Sequence, residues 1–420
     1  MQDSPARSNM EFLTMKPISI VLPLFLILVG CQRPVPEKAY WNGQLHRSDN
    51  KNIPFRTFID LQSATPSGYF LVGEERTQIP EIQRNGDSLI LSFSEYNAAM
   101  RGILRGDRWE GNYIRYRTTP ISVPFTSIAE SPEQSRPSEV AKPAIPLLGK
   151  FQAFMQDGNT IDSTTVATFW IKNDSVYGTL IASDGDYGLN VGIQSGTSVT
   201  LSRFTGWQAQ LFEFSQTGSS WKGTFYVRND PPVQLTLEPR PTLVEKVAST
   251  RETEMNNARI PFAFSGITAE GDSLTNESNR FKGKALIVDI MGTWCHNCMD
   301  EAPILQQLYA EYKDKGLEVV GLSFEINDNI AQARKNLSLY QKRFGIAFPL
   351  LFCGSTEDKY VGPKLRAQLI DFYAYPTALF IDKKGKVQFI HVGFRGPGTG
   401  EEFQAEVKHL YEVVRQLTGA

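Results

Sequence analysis

The sequence predicts a multidomain protein in which a duplicated antiparallel all-β N-terminal region precedes a C-terminal α/β region. Three observations carry this. Between residues 39 and 240, short alternating or aromatic-rich runs fall between closely spaced turn signals, the pattern of antiparallel strands. Those runs recur at nearly constant offset: Thr57-Phe58 with Thr168-Phe169, Ser88-Leu89-Ile90-Leu91 with Ser198-Val199-Thr200-Leu201, and Trp109-Glu110-Gly111-Asn112-Tyr113 with Trp221-Lys222-Gly223-Thr224-Phe225, at separations of 111, 110 and 112 residues. From about residue 260, buried strands alternate instead with amphipathic helices. With 420 residues, 41% of them hydrophobic, and a formal charge of −2, the chain has core for two or three domains and no basic excess pointing to nucleic acid.

Residues 1–31 read as a secretion segment: Lys16, a short apolar region from Ile18 to Val29, then Leu28-Val29-Gly30-Cys31. That ending resembles a bacterial lipobox, which implies cleavage before Cys31 and lipidation of its sulfur. The apolar run is short for a membrane-crossing helix and Pro23 interrupts it, although an uncleaved anchor is the alternative. Met10 and Met15 both serve as candidate starts. The expected location is therefore the bacterial cell envelope, lipid-anchored and facing the periplasm. Gln32 after the cysteine favours the outer membrane under one bacterial sorting rule, and inner versus outer stays open.

The first β-domain is expected over 39–126, with strands at Phe55 to Leu61, Gly68 to Val72, Ser88 to Phe93 and Trp109 to Tyr116. The Pro-, Ser- and Glu-rich residues 127–146 read as a linker and 147–240 as the second copy, each with about eight strands, as in antiparallel barrels or sandwiches. Alternation puts the Trp and the aromatic of each Trp-x-Gly-x-aromatic motif on one face, as core anchors. The copies hold no Cys and only His46 as histidine, so neither carries a catalytic constellation of its own. Residues 241–259 are charged, without an apolar stripe, and read as a second linker before the domain at 260–420.

In that last domain, Ala285 to Met291 is an apolar run broken only by Asp289, the signature of a strand covered on both faces. Gly292-Thr293 ends it. Cys295 then opens a helical pattern with Leu305, Leu308 and Tyr312 at helical spacing, Asp300 and Glu301 in its first turn and Gly316 as a stop. A Cys-x-x-Cys in a first helical turn brings both sulfurs within bonding reach. Helix N-termini and this spacing lower a thiol pKa from about 8.5 to roughly 3.5–7.5, so Cys295 is the expected nucleophile and Cys298, one turn in, the resolving thiol. Zinc uses such a pair as half a site, but Cys31, Cys353 and four scattered histidines supply no second half; neither metal nor separate cofactor is expected. Cys353, in the apolar run Phe348 to Cys353, reads as a small buried hydrophobe. Further strands are expected at Leu317 to Phe324, Thr377 to Ile381 and Val387 to Phe394. Amphipathic helices are expected through Ile330, Leu337, Tyr340 and Phe344, and through Phe403, Val407, Leu410, Val414 and Leu417.

The stretch VDIMGTWCHNC resembles the active-site strand and helix start of the thioredoxin superfamily, and Tyr375-Pro376-Thr377-Ala378-Leu379-Phe380-Ile381-Asp382 with Gly385 resembles its cis-proline loop, next strand and hairpin. From about Ile260 to the end the chain most resembles the TlpA/ResA branch, anchored extracytoplasmic thiol-disulfide oxidoreductases, in which insertions such as that between Phe344 and Asp371 are expected. The resemblance implies a thioredoxin fold and exchange of disulfides with partner proteins, and says less about direction; the expected direction is reductive, which requires electrons from outside, as from a membrane donor. Tyr375 and a cis Pro376 would present backbone to the substrate polypeptide, and Trp294 would shield the disulfide and support partner contact. Asp289, six residues before Cys295, matches the buried Asp of thioredoxins, where many TlpA-like sequences carry Asn; isolated in an apolar strand, it should take the proton from Cys298. Glu325 occupies the place of a family Glu near the active site and is the alternative proton carrier. A protonated His296 would stabilise the Cys295 thiolate and make the disulfide more oxidising. A disulfide oxidase or isomerase using the same residues thus remains a rival, as does a non-enzymatic binding lipoprotein whose β-domains hold the function. A thiol peroxidase is disfavoured, because the Pro-x-x-x-Thr-x-x-Cys pattern is absent before Cys295.

Overall fold

The computed structural model describes residues 35–116, 120–130, 146–158, 160–240 and 253–419. Cys31 and the secretion segment lie outside them, as do most residues of the two expected linkers. Among the described residues no helix is long and apolar enough to cross a membrane.

The N-terminal strands form two antiparallel sheets. In the first, nine strands lie in the order Glu75–Gln78, Ser67–Val72, Asn52–Asp60, Lys38–His46, Ile121–Ala129, Arg108–Arg115, Ala98–Arg105, Ser88–Phe93 and Glu81–Asn85. Alternation drives the burial: Leu89, Leu91 and Phe93 point inward from one strand, Ile53, Phe55 and Ile59 from another. The last strand runs to Ala129, three residues past the expected boundary, because Ser127, Ile128 and Ala129 still pair with Gly43, Asn42 and Trp41. The second sheet has ten strands and closes on itself, since Gly149–Asp157 pairs with both Val166–Lys172 and Val233–Pro239. Trp109 and Trp221 are buried, each next to a last strand of its sheet, at Ser127 and Leu237.

The two sheets share a core, which their reading as domains separated by a linker did not anticipate. Phe204 of the second sheet packs between Phe55 and Phe70 of the first, with ring centroids 5.3 and 4.8 Å away. Arg203, buried, reaches across to Glu75 with two bonds of 2.7 Å. Arg47 donates in turn to the carbonyls of Arg228 and Asp230.

The C-terminal region is a seven-stranded sheet in the order Ser273–Thr275, Ser265–Ile267, Leu350–Ser355, Leu317–Glu325, Ala285–Met291, Thr377–Ile381 and Val387–Val392, with helices His296–Tyr312, Ile330–Phe344 and Glu401–Thr418. Ala285–Met291 is central, parallel to Leu317–Glu325 and antiparallel to Thr377–Ile381, and every residue of it is buried. Leu350–Ser355 is a strand of this sheet, within the segment expected only as an insertion; its uninterrupted burial leaves no alternation to announce it. Glu254–Met255, expected in the linker, pairs with Leu369–Ile370 and so belongs to this region.

Candidate active site

The chain turns at the end of Ala285–Met291 and starts a helix at His296, with Cys295 as its N-cap. Cys295 and Cys298 are disulfide-bonded, their Cα atoms 5.2 Å apart. The amide of Cys298 points at Cys295 Sγ from 3.2 Å, one of the free N–H groups at a helix start that favour a sulfur anion. Cys295 Sγ lies 3.4 Å from the carbonyl of Tyr375, which precedes the cis Pro376. Cys298 is the deeper of the two, 1% exposed against 5%.

Glu325 fixes the turn that holds the dithiol. It is buried and accepts from the Thr293 amide at 3.2 Å, Thr293 Oγ1 at 2.7 Å and Asn336 Nδ2 at 3.3 Å, and also from Ser323 Oγ. Trp294 donates to the Phe324 carbonyl at 2.8 Å and meets Tyr375 edge-on with centroids 5.6 Å apart. With its lone pairs so occupied, Glu325 has the geometry of an anchor.

The strand before the dithiol and the helix that carries it hold two further buried carboxyls, Asp289 and Glu301. Asp289 is buried, Oδ1 has no hydrogen-bond partner among the described residues, and burial pushes its pKa up to about 8. Glu301 is 0% exposed, neither oxygen is partnered among the described residues, and burial first, then the nearby Asp289, raises it well above the carboxylate range. Asp300 and Glu301 were expected in the first turn of the helix; the helix starts at His296, so both lie beyond that turn. The signal that could have found Glu301 is its spacing: Cys298, Glu301, Leu305 and Leu308 share one face of the helix, and that face is the core.

His296 is not turned out to solvent. Its Nε2 stands 3.3 Å from Asp300 and 3.9 Å from Asp186, which belongs to the second sheet. Burial lowers the His296 pKa, but Asp300 and Asp186 outweigh it and the net shift is upward. Burial likewise pushes Asp300 up to about 7. Asp186 is held below the ordinary carboxylate value despite its burial, by His296 and by the amides of Gly396 and Gly188 at 2.6 Å. These three side chains offer ligand atoms within 4.8 Å of one another. The Arg203 guanidinium, which depresses His296, faces the same cluster, so the donor set is that of an ion-pair network and fits a cation poorly. Cys353 is free and buried, and burial pushes its thiol up to about 12, far from a nucleophile.

Comparison with known proteins places this geometry. The AhpC/TSA family model matches residues 260–390. The thiol-disulfide oxidoreductase ResA of Bacillus thuringiensis subsp. konkukian (strain 97-27) is 32% identical over 165 residues, covering 38% of this chain and 82% of the relative. The chain belongs to the ResA-like thiol-disulfide oxidoreductases of the thioredoxin family. Another ResA, from Geobacillus thermodenitrificans (strain NG80-2), is 29% identical over 27% of this chain, and there the match spans 57% of the relative's length. A solved thioredoxin family thiol:disulfide interchange protein from Chlorobium tepidum TLS is 24% identical over 40% of this chain and 99% of its own, at a TM-score of 0.29. The ResA-like match covers the C-terminal region; the β-sheets lie before it.

Proposed function

We propose that this ResA-like protein is an envelope-located, lipid-anchored reductase of partner-protein disulfides, with Cys295 as nucleophile and Cys298 as resolving thiol. The observation that carries the reading is the Cys295–Cys298 pair at a helix start, on a strand and helix that also carry the buried carboxyls Asp289 and Glu301. In the reduced protein the Cys295 thiolate attacks one sulfur of a partner disulfide, and the other partner sulfur leaves as a thiolate and takes up a proton. Cys298 gives its proton to Asp289 in the molecules in which that carboxyl is ionised, and attacks the Cys295 sulfur, releasing the second partner sulfur as a thiolate that takes up a proton. Two electrons pass from the dithiol to the partner; a membrane protein relaying electrons across the bilayer restores Cys295 and Cys298 to thiols. No cofactor beyond the dithiol is required.

Burial opposes ionisation of both carboxyls, and Asp289, pushed up to about 8, is the one suited to exchange a proton near neutral pH. Glu325 serves this reading as a positioning residue, since its four donors leave it no free oxygen lone pair facing the sulfurs. Trp294, His296, Tyr375 and Pro376 surround the disulfide and form the substrate contact. The matched Trp109 and Trp221 motifs support reading the two sheets as copies of one ancestral unit. The lipid anchor rests on Leu28-Val29-Gly30-Cys31. A second reading, a disulfide donor, is favoured by His296: Asp300 and Asp186 hold its proton beside the first cysteine, and a charged imidazole stabilises the thiolate. A Cys298→Ser variant reduced before use tests the exchange chemistry. It should accumulate mixed disulfides with envelope proteins through Cys295, and recovery of none counts against the reading.

A further inference from the structure

The dithiol is nearly buried, and the second β-sheet touches residues on either side of it. The hairpin Ile181–Asp186, in which Ala182 pairs with Gly185, brings its tip to the start of the active-site helix. Asn297 Nδ2 donates to the Asp184 carbonyl at 3.4 Å and Tyr373 Oη to the Ser183 carbonyl at 3.4 Å. Asp186 receives the Gly396 amide at 2.6 Å. The approach is close enough to demand glycine on both sides: a Cβ on Gly393 would stand 2.6 Å from the Asp184 carbonyl carbon, and one on Gly185, at φ +129°, would run into the Asn297 amide. On the other flank Trp207 stands 6.4 Å from Trp294, held by stacking on Tyr96 at 5.3 Å and by Arg115 4.1 Å above its ring. Of the residues so covered, Trp294 and Asn297 flank Cys295 in the chain and Gly393 donates to the carbonyl of Pro376, next to the Tyr375 carbonyl that meets the Cys295 sulfur; Cys295 itself is only 5% exposed.

Disulfide exchange requires a partner sulfur to reach the Cys295 sulfur along an open line, so access limits rate as much as thiolate content does. We infer that the hairpin tip Ser183–Asp186 and Trp207 form a cap on the dithiol, one that admits disulfides carried on slender, extended segments or small molecules and excludes those set in broad folded surfaces. The β-region thereby supplies the specificity of a site whose chemistry lies wholly in the ResA-like region, and this rests on the dithiol reading given above. The hairpin half of the cap is held by a few polar contacts, two of them long, and by one buried carboxylate, so the tip can be displaced without unfolding its sheet; Trp207 is the fixed half, held by Tyr96 and Arg115. Asp186 is the latch of the tip: it alone among the tip's contacts is charged, buried and bonded to the far side of the site.

The test compares two reagents with the same reactive group and different bulk, N-ethylmaleimide and a 5-kDa polyethylene glycol maleimide, on the full reduced chain carrying Cys298→Ser. Labelling at Cys295 is followed by mass spectrometry of peptides. Using the ratio of the two rates cancels any change in thiolate fraction when His296 loses its partner. The small reagent should outpace the bulky one in the parent. In Asp186→Ala the ratio should fall on the order of tenfold, the factor that loss of a charge-assisted hydrogen bond gives to an open fraction. Trp207→Ala should lower it too, and carries the test if Asp186→Ala fails to fold. An unchanged ratio in the folded variants overturns the cap and leaves the exchange chemistry standing. Failure of N-ethylmaleimide to label Cys295 in every variant overturns both.

Discussion

Replacing Asp289 by Asn should make the protein more stable and a slower enzyme, and both effects come from the same burial. Burial raises the carboxyl from an ordinary 3.8 to about 8. Below pH 4 the group is protonated in folded and unfolded chains alike and nothing is lost. As pH rises the unfolded chain ionises and the folded one does not, so stability falls progressively until about pH 8 and then levels. At 1.36 kcal/mol per pH unit the burial costs about 5 kcal/mol at pH 8 and about 4 kcal/mol at pH 7. An amide in its place escapes that penalty but buries an unsatisfied group, at about 1–3 kcal/mol. Asp289→Asn should therefore gain roughly 1–3 kcal/mol at pH 7 and lose stability at pH 4, measured by denaturant unfolding of the oxidised protein at both pH values. In stopped-flow exchange, resolution by Cys298 should slow by about 10²-fold or more at neutral pH, the scale of a lost general base, and recover toward the parent at high pH where hydroxide serves. A stability difference that does not change between pH 4 and pH 7, or a resolving step unaltered at neutral pH, would refute the reasoning.

Other consequences follow from the same structure. Glu325→Ala strands the Thr293 amide and hydroxyl and Asn336, and should destabilise by about 2–4 kcal/mol while weakening the seating of the dithiol; Glu325→Gln should recover part of the stability, because an amide oxygen still accepts. Thermal and denaturant unfolding of the pair checks this, and equal loss in both variants would make the negative charge, not the acceptor, the essential property. Trp221→Ala should lose about 3–5 kcal/mol in unfolding experiments, since the ring is fully enclosed in the second sheet. A loss under 1 kcal/mol would mean the site collapses or the ring is not a core anchor. Glu301→Gln should stabilise near neutral pH and not in acid, as Asp289→Asn does, because both carboxyls are raised by burial.

Much of the C-terminal region was readable from local pattern. The strand Ala285–Met291 is apolar but for Asp289 and was located as a continuous run, and the helix Ile330–Phe344 keeps Leu337 and Tyr340 on one buried face and was located by its period. The dithiol was readable because reactivity there is a property of two residues and a helix start. Glu301 was placed in the first turn of the helix, but the helix starts at His296 and Glu301 falls beyond that turn, on the buried face with Cys298, Leu305 and Leu308. Leu350–Ser355 was missed because its apolar run was read only as the surroundings of Cys353. The closure of Gly149–Asp157 against Val233–Pro239, the Arg203 to Glu75 bridge and the approach of Asp186 and Trp207 to the dithiol are pairings between distant segments. No local period records those, so the sequence reading left the β-region without a role at the site.

The reduction potential of the Cys295–Cys298 pair, measured by equilibrating the protein in graded thiol buffers and alkylating what stays reduced, tests the central claim most directly. A reductase fed with electrons should lie near the value of thioredoxin, about −270 mV. A potential approaching about −120 mV would make the pair a disulfide donor, assign the dominant effect to His296, and contradict the direction proposed for the reaction.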